Sequence, residues 1–278
     1  MKMVKKILLG LAASAAVLAF VGCKTTDDTE NAITGSNNDY AVEYTNEGEK
    51  DYRAYESTSM KHAGALVKVT FENPEAGNYS KMGIIFDLHD NAADTSAKDF
   101  YIIGLAGTTN YNYYISKFEN VTDLQAENFG TELETNKAKE TVIYDTSNTS
   151  NGIGSITRPP LAADGSVSYY VYYKAFANDG HSTDQTDATK GYYEVAVYNF
   201  TDAQAETAKA LMKTDAATAT SLGTPIHSMK IKNAFNLGTN NSVVQNQIAV
   251  YAKINAGHSL RGQWHFLDMY KEAEEIEE

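Results

Sequence analysis

Hydrophobic and polar residues alternate along most of the chain in short blocks that turn residues separate. Tyr, Val, Ile and Phe dominate the blocks, while Asn, Asp and Gly lie between them. The blocks read ALVKVTF, MGIIFDL, DFYIIGL, YNYYISKF, ETVIYD, SVSYYVYYKAF, GYYEVAVYNF, MKIKNAF, QIAVYAKI and GQWHFLD. This composition and alternation are typical of strands joined by hairpins. The pattern predicts an all-β fold of antiparallel strands.

Two stretches of the chain resemble each other. YYISKFENVTDLQAEN begins at Tyr113, and YYEVAVYNFTDAQAET begins at Tyr192, about 79 residues later, with half of the aligned positions identical. The same spacing relates VYYKAFANDGHS to VYAKINAGHS when a short gap is allowed. Such repetition is typical of a duplicated supersecondary unit. Tandem small β modules repeating at about 79 residues are therefore the alternative architecture.

The shared TDxQAE motif predicts helix starts. Thr122 and Thr201 can act as N-caps, and Gln125 and Gln204 then occupy the third helical position of a capping box. The second copy continues into AETAKALMKT, which favours a helix. We expect one or two short capped helices beside the strands.

The N-terminal residues have the layout of an export signal. Lys2, Lys5 and Lys6 precede an apolar run from Ile7 to Val21, which is shorter than the roughly 20 residues that a membrane-spanning helix needs. Gly22 and Cys23 follow, and Cys23 is the single cysteine of the chain. The segment 1–22 is therefore predicted to be a signal peptide.

The segment LAFVGC, which ends at Cys23, resembles the lipobox of bacterial lipoproteins, and phenylalanine at position 20 resembles the relaxed lipobox of spirochaete lipoproteins. The resemblance implies that Cys23 is acylated and anchors the mature chain to a membrane, since two or three acyl chains anchor stably. The resemblance also implies an outer-membrane or cell-surface location, because Lys24 follows the cysteine where an aspartate would indicate retention in the inner membrane. A soluble secreted protein with an incidental cysteine is the alternative.

Residues 23–60 are predicted to form a flexible acidic tether. The segment is rich in Asp, Glu, Asn and Thr and has few aliphatic side chains, so it offers little surface to bury. Its four tyrosines leave open that the second half docks as an edge strand. Residues 61–278 then form the β-sandwich domain with its internal repeats.

Three of the blocks resemble the middle of concanavalin A-like jelly rolls: GIIFDLHDN, KDFYIIGL and NYNYYISKF. The matching residues are Gly83, Phe86, Asp87, Phe100, Tyr101, Gly104, Tyr114 and Lys117. The resemblance implies a jelly-roll-like sandwich, a fold that often binds glycans and sometimes hydrolyses them.

Charge and motifs narrow the function classes. The formal net charge of −13 disfavours nucleic acid as a partner, because nucleic-acid sites need basic faces. The chain has no E-x-D-x-E strand for a retaining glycosidase, no G-x-S-x-G elbow and no paired histidines for zinc. No catalytic residue is predicted, and no cofactor apart from calcium. We expect a protein that is not an enzyme.

One acidic loop is a candidate for structural calcium. DLHDNAADTSAKD places Asp87, Asp90 and Asp94 close together in the sequence, and calcium takes six to eight oxygen ligands. The spacing does not match an EF-hand, so an ordinary solvated loop is the alternative.

Aromatic residues provide the strongest functional indication. The chain has 19 tyrosines and one tryptophan, and exposed aromatic faces stack on sugar rings. Candidate ligand-binding residues are Tyr113, Tyr170, Tyr172 and Trp264. The alternatives are cross-strand aromatic pairing for the tyrosines and a place in the core for Trp264.

The sequence therefore predicts a lipid-anchored cell-envelope protein with a binding or structural role. Its partners are the membrane and either a glycan or a host or matrix protein. A glycan-active hydrolase or lyase is the alternative function.

Overall fold

The computed structural model of the chain describes residues 33–36, 38–45, 51–74, 80–108, 112–122, 140–145, 156–177, 189–214, 216–237, 243, 246–255 and 257–270. The strands in these ranges are β1 (Ile33–Ser36), β2 (Asp39–Thr45), β3 (Asp51–His62), β4 (Gly64–Phe71), β5 (Lys81–Asp90), β6 (Ala97–Ala106), β7 (Tyr113–Thr122), β8 (Glu140–Asp145), β9 (Val167–Phe176), β10 (Lys190–Tyr198), β11 (His227–Asn236), β12 (Asn246–Ile254) and β13 (Ser259–Tyr270). Two helices, α1 (Asp202–Met212) and α2 (Ala219–Leu222), lie between β10 and β11.

The strands form two antiparallel sheets that share one core. The seven-stranded sheet has the order β1-β2-β13-β4-β9-β10-β11, and the six-stranded sheet has the order β3-β12-β5-β6-β7-β8. Their inner faces meet through side chains such as Phe86 of β5, whose ring centroid lies 4.7 Å from that of Tyr173 of β9. The predicted all-β, jelly-roll-like antiparallel sandwich with short capped helices is confirmed.

The alternative of tandem modules is wrong. The repeated stretches lie in different sheets, since β7 belongs to the six-stranded sheet and β10 to the seven-stranded sheet. In addition, β12 lies between β3 and β5, and β13 lies between β2 and β4. Each sheet thus joins strands from both ends of the sequence, and a module of about 79 residues could not close its own core.

The tether boundary also differs from the prediction. Three strands, β1, β2 and β3, lie inside the segment 23–60 or reach just beyond it. β2 pairs with β13, and its alternation buries Tyr40 and Val42, each 3% exposed, in the main core. The backbone ladder with β13 and these two buried side chains together hold β2 in the sheet. The earlier part of the predicted tether and the signal segment 1–22 lie outside the described residues.

The predicted helix start at Thr201 is confirmed. The Thr201 side chain accepts from the backbone N–H of Gln204, and the Gln204 side chain accepts from the backbone N–H of Thr201. Helix α1 then buries Ala205, Ala208 and Met212. In the first copy of the motif, Thr122 is the last residue of β7, and Gln125 lies outside the described residues.

A second apolar cluster lies on the other face of the six-stranded sheet. Ile85 belongs to it, whereas its neighbours Ile84 and Phe86 belong to the main core, as strand alternation requires. Within the described ranges, no helix is long and apolar enough to cross a membrane.

Candidate functional site

The four aromatic residues that the sequence proposed as a ligand platform are all buried. Their exposed fractions are 0% for Tyr113, 3% for Tyr170, 0% for Tyr172 and 1% for Trp264. The expectation of an exposed aromatic face at these positions is therefore corrected. All four side chains belong to the main core.

Helices explain why both faces of β9 are buried. The strand alternation is as expected, but the face that carries Tyr170 and Tyr172 lies beneath the segment that contains α1 and α2. The Tyr172 hydroxyl donates to the carbonyl of Ala217, just before α2, at 3.3 Å. Tyr198 of β10 donates in the same way to the carbonyl of Ala219 at 2.6 Å. Tyrosines can line this buried layer because their hydroxyls find backbone partners.

Trp264 and Tyr113 are held in the core on other strands. The indole N–H of Trp264 donates to the carbonyl of Gly83 at 2.7 Å and so links the two sheets. The Tyr113 ring contacts Tyr144 and His227, with centroids 5.2 Å and 5.1 Å away. These residues stabilise the sandwich.

The three aspartates of the predicted calcium loop are not brought together. Among the described residues, no group of three His, Cys, Asp or Glu side chains is placed to hold a metal. Asp90 pairs with Lys98 at 2.6 Å, and Asp94 accepts from the backbone N–H and hydroxyl of Ser96. Asp87 points elsewhere, into a cleft at the end of the sandwich.

This cleft, which we name the Asp87 cleft, has a volume of about 380 Å³. The six-stranded sheet contributes one wall from β5, β6, β7 and β12, and the seven-stranded sheet contributes the other from β10 and β11. Its lining residues are Asp87, His89, Asp90, Ala92, Asp99, Phe100, Tyr101, Lys117, Lys190, Asn233, Ala234, Phe235, Asn236 and Asn246. The volume falls in the range of sites for small molecules.

Irregular backbone concentrates around the Asp87 cleft. In the described part of the chain, the non-glycine residues with positive φ are Asp87 (57°), Asn120 (57°) and Asn233 (51°). Two of them line the cleft, and the backbone N–H of the third, Asn120, donates to the carboxylate of Asp99 at 2.7 Å. Register shifts occur beside them between Phe86 and His89 on β5 and between Gly191 and Tyr193 on β10. Bulges and left-handed residues of this kind concentrate at functional sites, where they redirect side chains.

Asp87 is a buried carboxylate with fixed partners. It is 3% exposed, and its Oδ1 accepts a hydrogen bond from the side-chain amide of Asn246 on β12. The imidazole Nδ1 of His89 lies 3.5 Å from the same carboxylate oxygen and 2.6 Å from the backbone carbonyl of Asp87. A buried charge is tolerated when it is paired and hydrogen-bonded in this way.

The Asp87 carboxylate changes the titration of His89. The hydrogen bond to Asp87 raises the pKa of His89 to about 9, against the effect of partial burial, which lowers it. His89 is therefore cationic at neutral pH, and it stands beside the carboxylate as an ion pair.

The opposite wall of the cleft is built from the ends of β10 and β11. Lys190 pairs in register with Asn236, and its ammonium donates to the side-chain carbonyl of that residue. The Tyr101 hydroxyl donates to the carbonyl of Ala234 at 3.1 Å and ties the two walls together. The ring of Phe235 covers Gly191 so closely that a Cβ there would lie 2.2 Å from a ring carbon. Phe235 is half-buried and gives the cleft an aromatic surface.

The sequence indicated part of this site. Asp87, Phe100, Tyr101 and Lys117 carry the jelly-roll resemblance, but the pattern gave no reason to place them beside Lys190, Asn236 or Asn246. The usable signal was the interruption of strand alternation at Asp87-Leu88-His89. Cys23, the candidate lipidation residue, lies outside the described residues.

No family model and no curated protein matches the chain. Among solved structures, the chain is similar to one described as the structure of a legume lectin-like domain from Entamoeba histolytica. The two share 9% sequence identity with a TM-score of 0.37, over 88% of this chain and 89% of that chain.

Proposed function

We propose that the chain is a lipid-anchored cell-envelope protein that binds carbohydrate in the Asp87 cleft. The observation that carries this proposal is the concentration of left-handed residues and bulges around one small polar cleft. Left-handed residues and bulges that interrupt strands redirect side chains, and they are typical of functional sites.

The chemistry of the walls suits a sugar. Carboxylate and amide groups exchange hydrogen bonds with hydroxyls, and the accessible side chains of Asp90, Asn233, Asn236 and Asn246 supply both kinds of group. Asp87, at 3% exposed, holds Asn246 in place behind them. The half-buried ring of Phe235 offers the apolar face on which a sugar ring stacks. A few polar groups converging on a partly aromatic cleft are typical of small-molecule sites.

A glycan array tests the carbohydrate proposal. The full chain, solubilised in a non-glycosidic detergent, is compared with Ala92→Trp and Ala93→Trp. Both alanines are exposed, but only Ala92 lines the cleft, so the first indole fills the cleft and the second serves as a matched control. We expect binding by the wild type and by Ala93→Trp and loss of binding in Ala92→Trp. Equal binding by all three chains would place the sugar elsewhere, and no binding by the wild type would overturn the proposal.

The anchoring part of the proposal rests on the sequence up to Cys23. Its test is incorporation of radiolabelled palmitate in a bacterial host, with Cys23→Ala beside Lys24→Ala as the control. Label is expected in the wild type and the control and absent in Cys23→Ala. Label that persists without the thiol would contradict the anchor.

We propose binding without catalysis. The Asp87 carboxylate is engaged by Asn246 and His89, and His89 is already protonated at neutral pH, so neither group is poised as a free base. Incubation with the bound glycan should release no reducing ends and no unsaturated products. The appearance of either product, together with its loss in Ala92→Trp, would show that the protein is a hydrolase or a lyase and not a binding protein.

A further inference from the structure

The charges around the Asp87 cleft differ from those of the whole chain. The chain carries a formal net charge of −13, yet the cleft is lined by three carboxylates and three basic side chains. The carboxylates belong to Asp87, Asp90 and Asp99, and the basic side chains belong to His89, Lys117 and Lys190. The cleft thus has equal numbers of acidic and basic side chains, whereas in the whole chain 36 Asp and Glu stand against 23 Lys and Arg.

The three carboxylates already have protein partners. Asp87 accepts from Asn246 and faces the His89 cation, and Asp90 pairs with Lys98 at 2.6 Å. Asp99 accepts from the side chain of Asn91 at 2.9 Å and from the backbone N–H of Asn120. The negative charges of Asp87 and Asp90 are therefore paired with cations, and that of Asp99 is held by neutral N–H donors.

Lys190 differs from the other basic groups. Lys117 pairs with Glu119 at 2.6 Å, and His89 pairs with Asp87. Within the described residues, Lys190 contacts the neutral amide of Asn236 and forms no ion pair with a carboxylate. The amide holds the ammonium on the cleft wall without neutralising its charge, so the charge of Lys190 is available to a ligand.

We propose that the Asp87 cleft selects an acidic sugar, whose carboxylate or sulfate is bound by Lys190. This inference rests on the proposed carbohydrate function. Asn233, Asn236 and the Phe235 ring then contact the neutral part of the same sugar. Because the chain as a whole repels anions, the short-range pair with Lys190 decides the affinity.

Matched oligosaccharides test the selection. Tetrasaccharides of β-1,4-glucuronan and cellotetraose share a backbone and differ at C6, which is a carboxylate in one and a hydroxymethyl in the other. Alginate and galacturonan fragments are titrated beside neutral oligosaccharides in the same way. Calorimetry uses the full chain in detergent, with Lys190→Gln, Lys190→Arg and, as a surface control, Lys209→Gln on α1.

The wild type should bind an acidic member at least about tenfold more tightly than its neutral counterpart. Lys190→Gln should abolish that preference and leave the affinity for neutral sugars within about twofold. Lys190→Arg and Lys209→Gln should retain the preference for the acidic sugar. Equal or tighter binding of neutral sugars by the wild type would overturn the selection and leave the carbohydrate function standing. Failure of every sugar to bind would overturn both.

Discussion

Asp87 combines a left-handed backbone, burial and a negative charge in the middle of a sandwich strand. Burial penalises a carboxylate, and positive φ is uncommon inside a strand even for aspartate, whose short side chain tolerates it. The bulge on β5 turns the Asp87 side chain toward Asn246 and His89, which hydrogen-bond and pair the buried carboxylate. The Asp87 cleft therefore depends on the orientation of this one side chain.

The Asp87–His89 pair predicts a particular dependence of stability on pH. The pKa of His89 in the folded chain, about 9, lies above its ordinary value, so the folded state binds the proton more tightly than the unfolded state does. The stabilisation is therefore complete below about pH 6.5 and is lost as pH rises toward 9. His89→Gln should lower the free energy of unfolding in urea at about pH 6 and change it little above about pH 9.5.

An NMR titration of the His89 ring provides the control for this assignment. In the wild type the midpoint should lie near 9, and in Asp87→Asn it should fall toward the ordinary histidine range. Asparagine keeps the size of the side chain and tolerates positive φ. An unchanged midpoint in Asp87→Asn would show that another group raises the pKa.

Trp264 predicts a spectroscopic result, since it is the one tryptophan of the chain and is 1% exposed. Its fluorescence should be blue-shifted relative to the unfolded chain, resistant to acrylamide and unchanged by any sugar that binds. Trp264→Phe removes the donor to the Gly83 carbonyl and should lower the free energy of unfolding by about 1–3 kcal/mol. Strong quenching by acrylamide, or a shift of the emission when a sugar is added, would contradict the burial of Trp264.

Strands and helices that depend on local sequence were predictable, whereas features that depend on distant elements were not. The strand blocks were predictable because alternating Tyr, Val and Ile need no knowledge of the partner strand, and α1 was predictable because its capping box is local. The burial of both faces of β9 was not predictable, because it depends on α1 and α2 returning over Tyr170 and Tyr172. The cleft was missed for a similar reason, since Lys190 and Asn246 approach Asp87 through three-dimensional pairing.

The capping box at the start of α1 gives a prediction at the scale of this element. Thr201→Ala removes the acceptor for the backbone N–H of Gln204 and should lower the free energy of unfolding by about 1 kcal/mol. Thr207→Ala, at an exposed position inside the same helix, is the control and should be neutral or slightly stabilising. Urea titrations followed by circular dichroism measure both. Equal effects of the two substitutions would contradict a specific role for the cap.

Each sheet joins early and late strands, so we expect the whole molecule to unfold as one cooperative unit. A fragment of residues 61–278 matches the domain boundary predicted from the sequence, but it lacks β1, β2 and all but the end of β3. It loses the buried side chains of Tyr40 and Val42, each worth roughly 1.5–3 kcal/mol. The fragment should unfold at markedly lower urea than residues 33–278. Coincident unfolding curves would show that the segment 33–60 is a tether after all.

The most direct test of sugar binding in the Asp87 cleft is hydrogen–deuterium exchange of the full chain, with and without the tightest-binding oligosaccharide of the glycan array. We predict slower exchange in the strand ends around the Asp87 cleft, at residues 87–101, 190–191 and 233–236, with little change in α1 or in β2. Protection confined to other strands, or no protection at saturating sugar, would contradict the assignment of this cleft as the binding site.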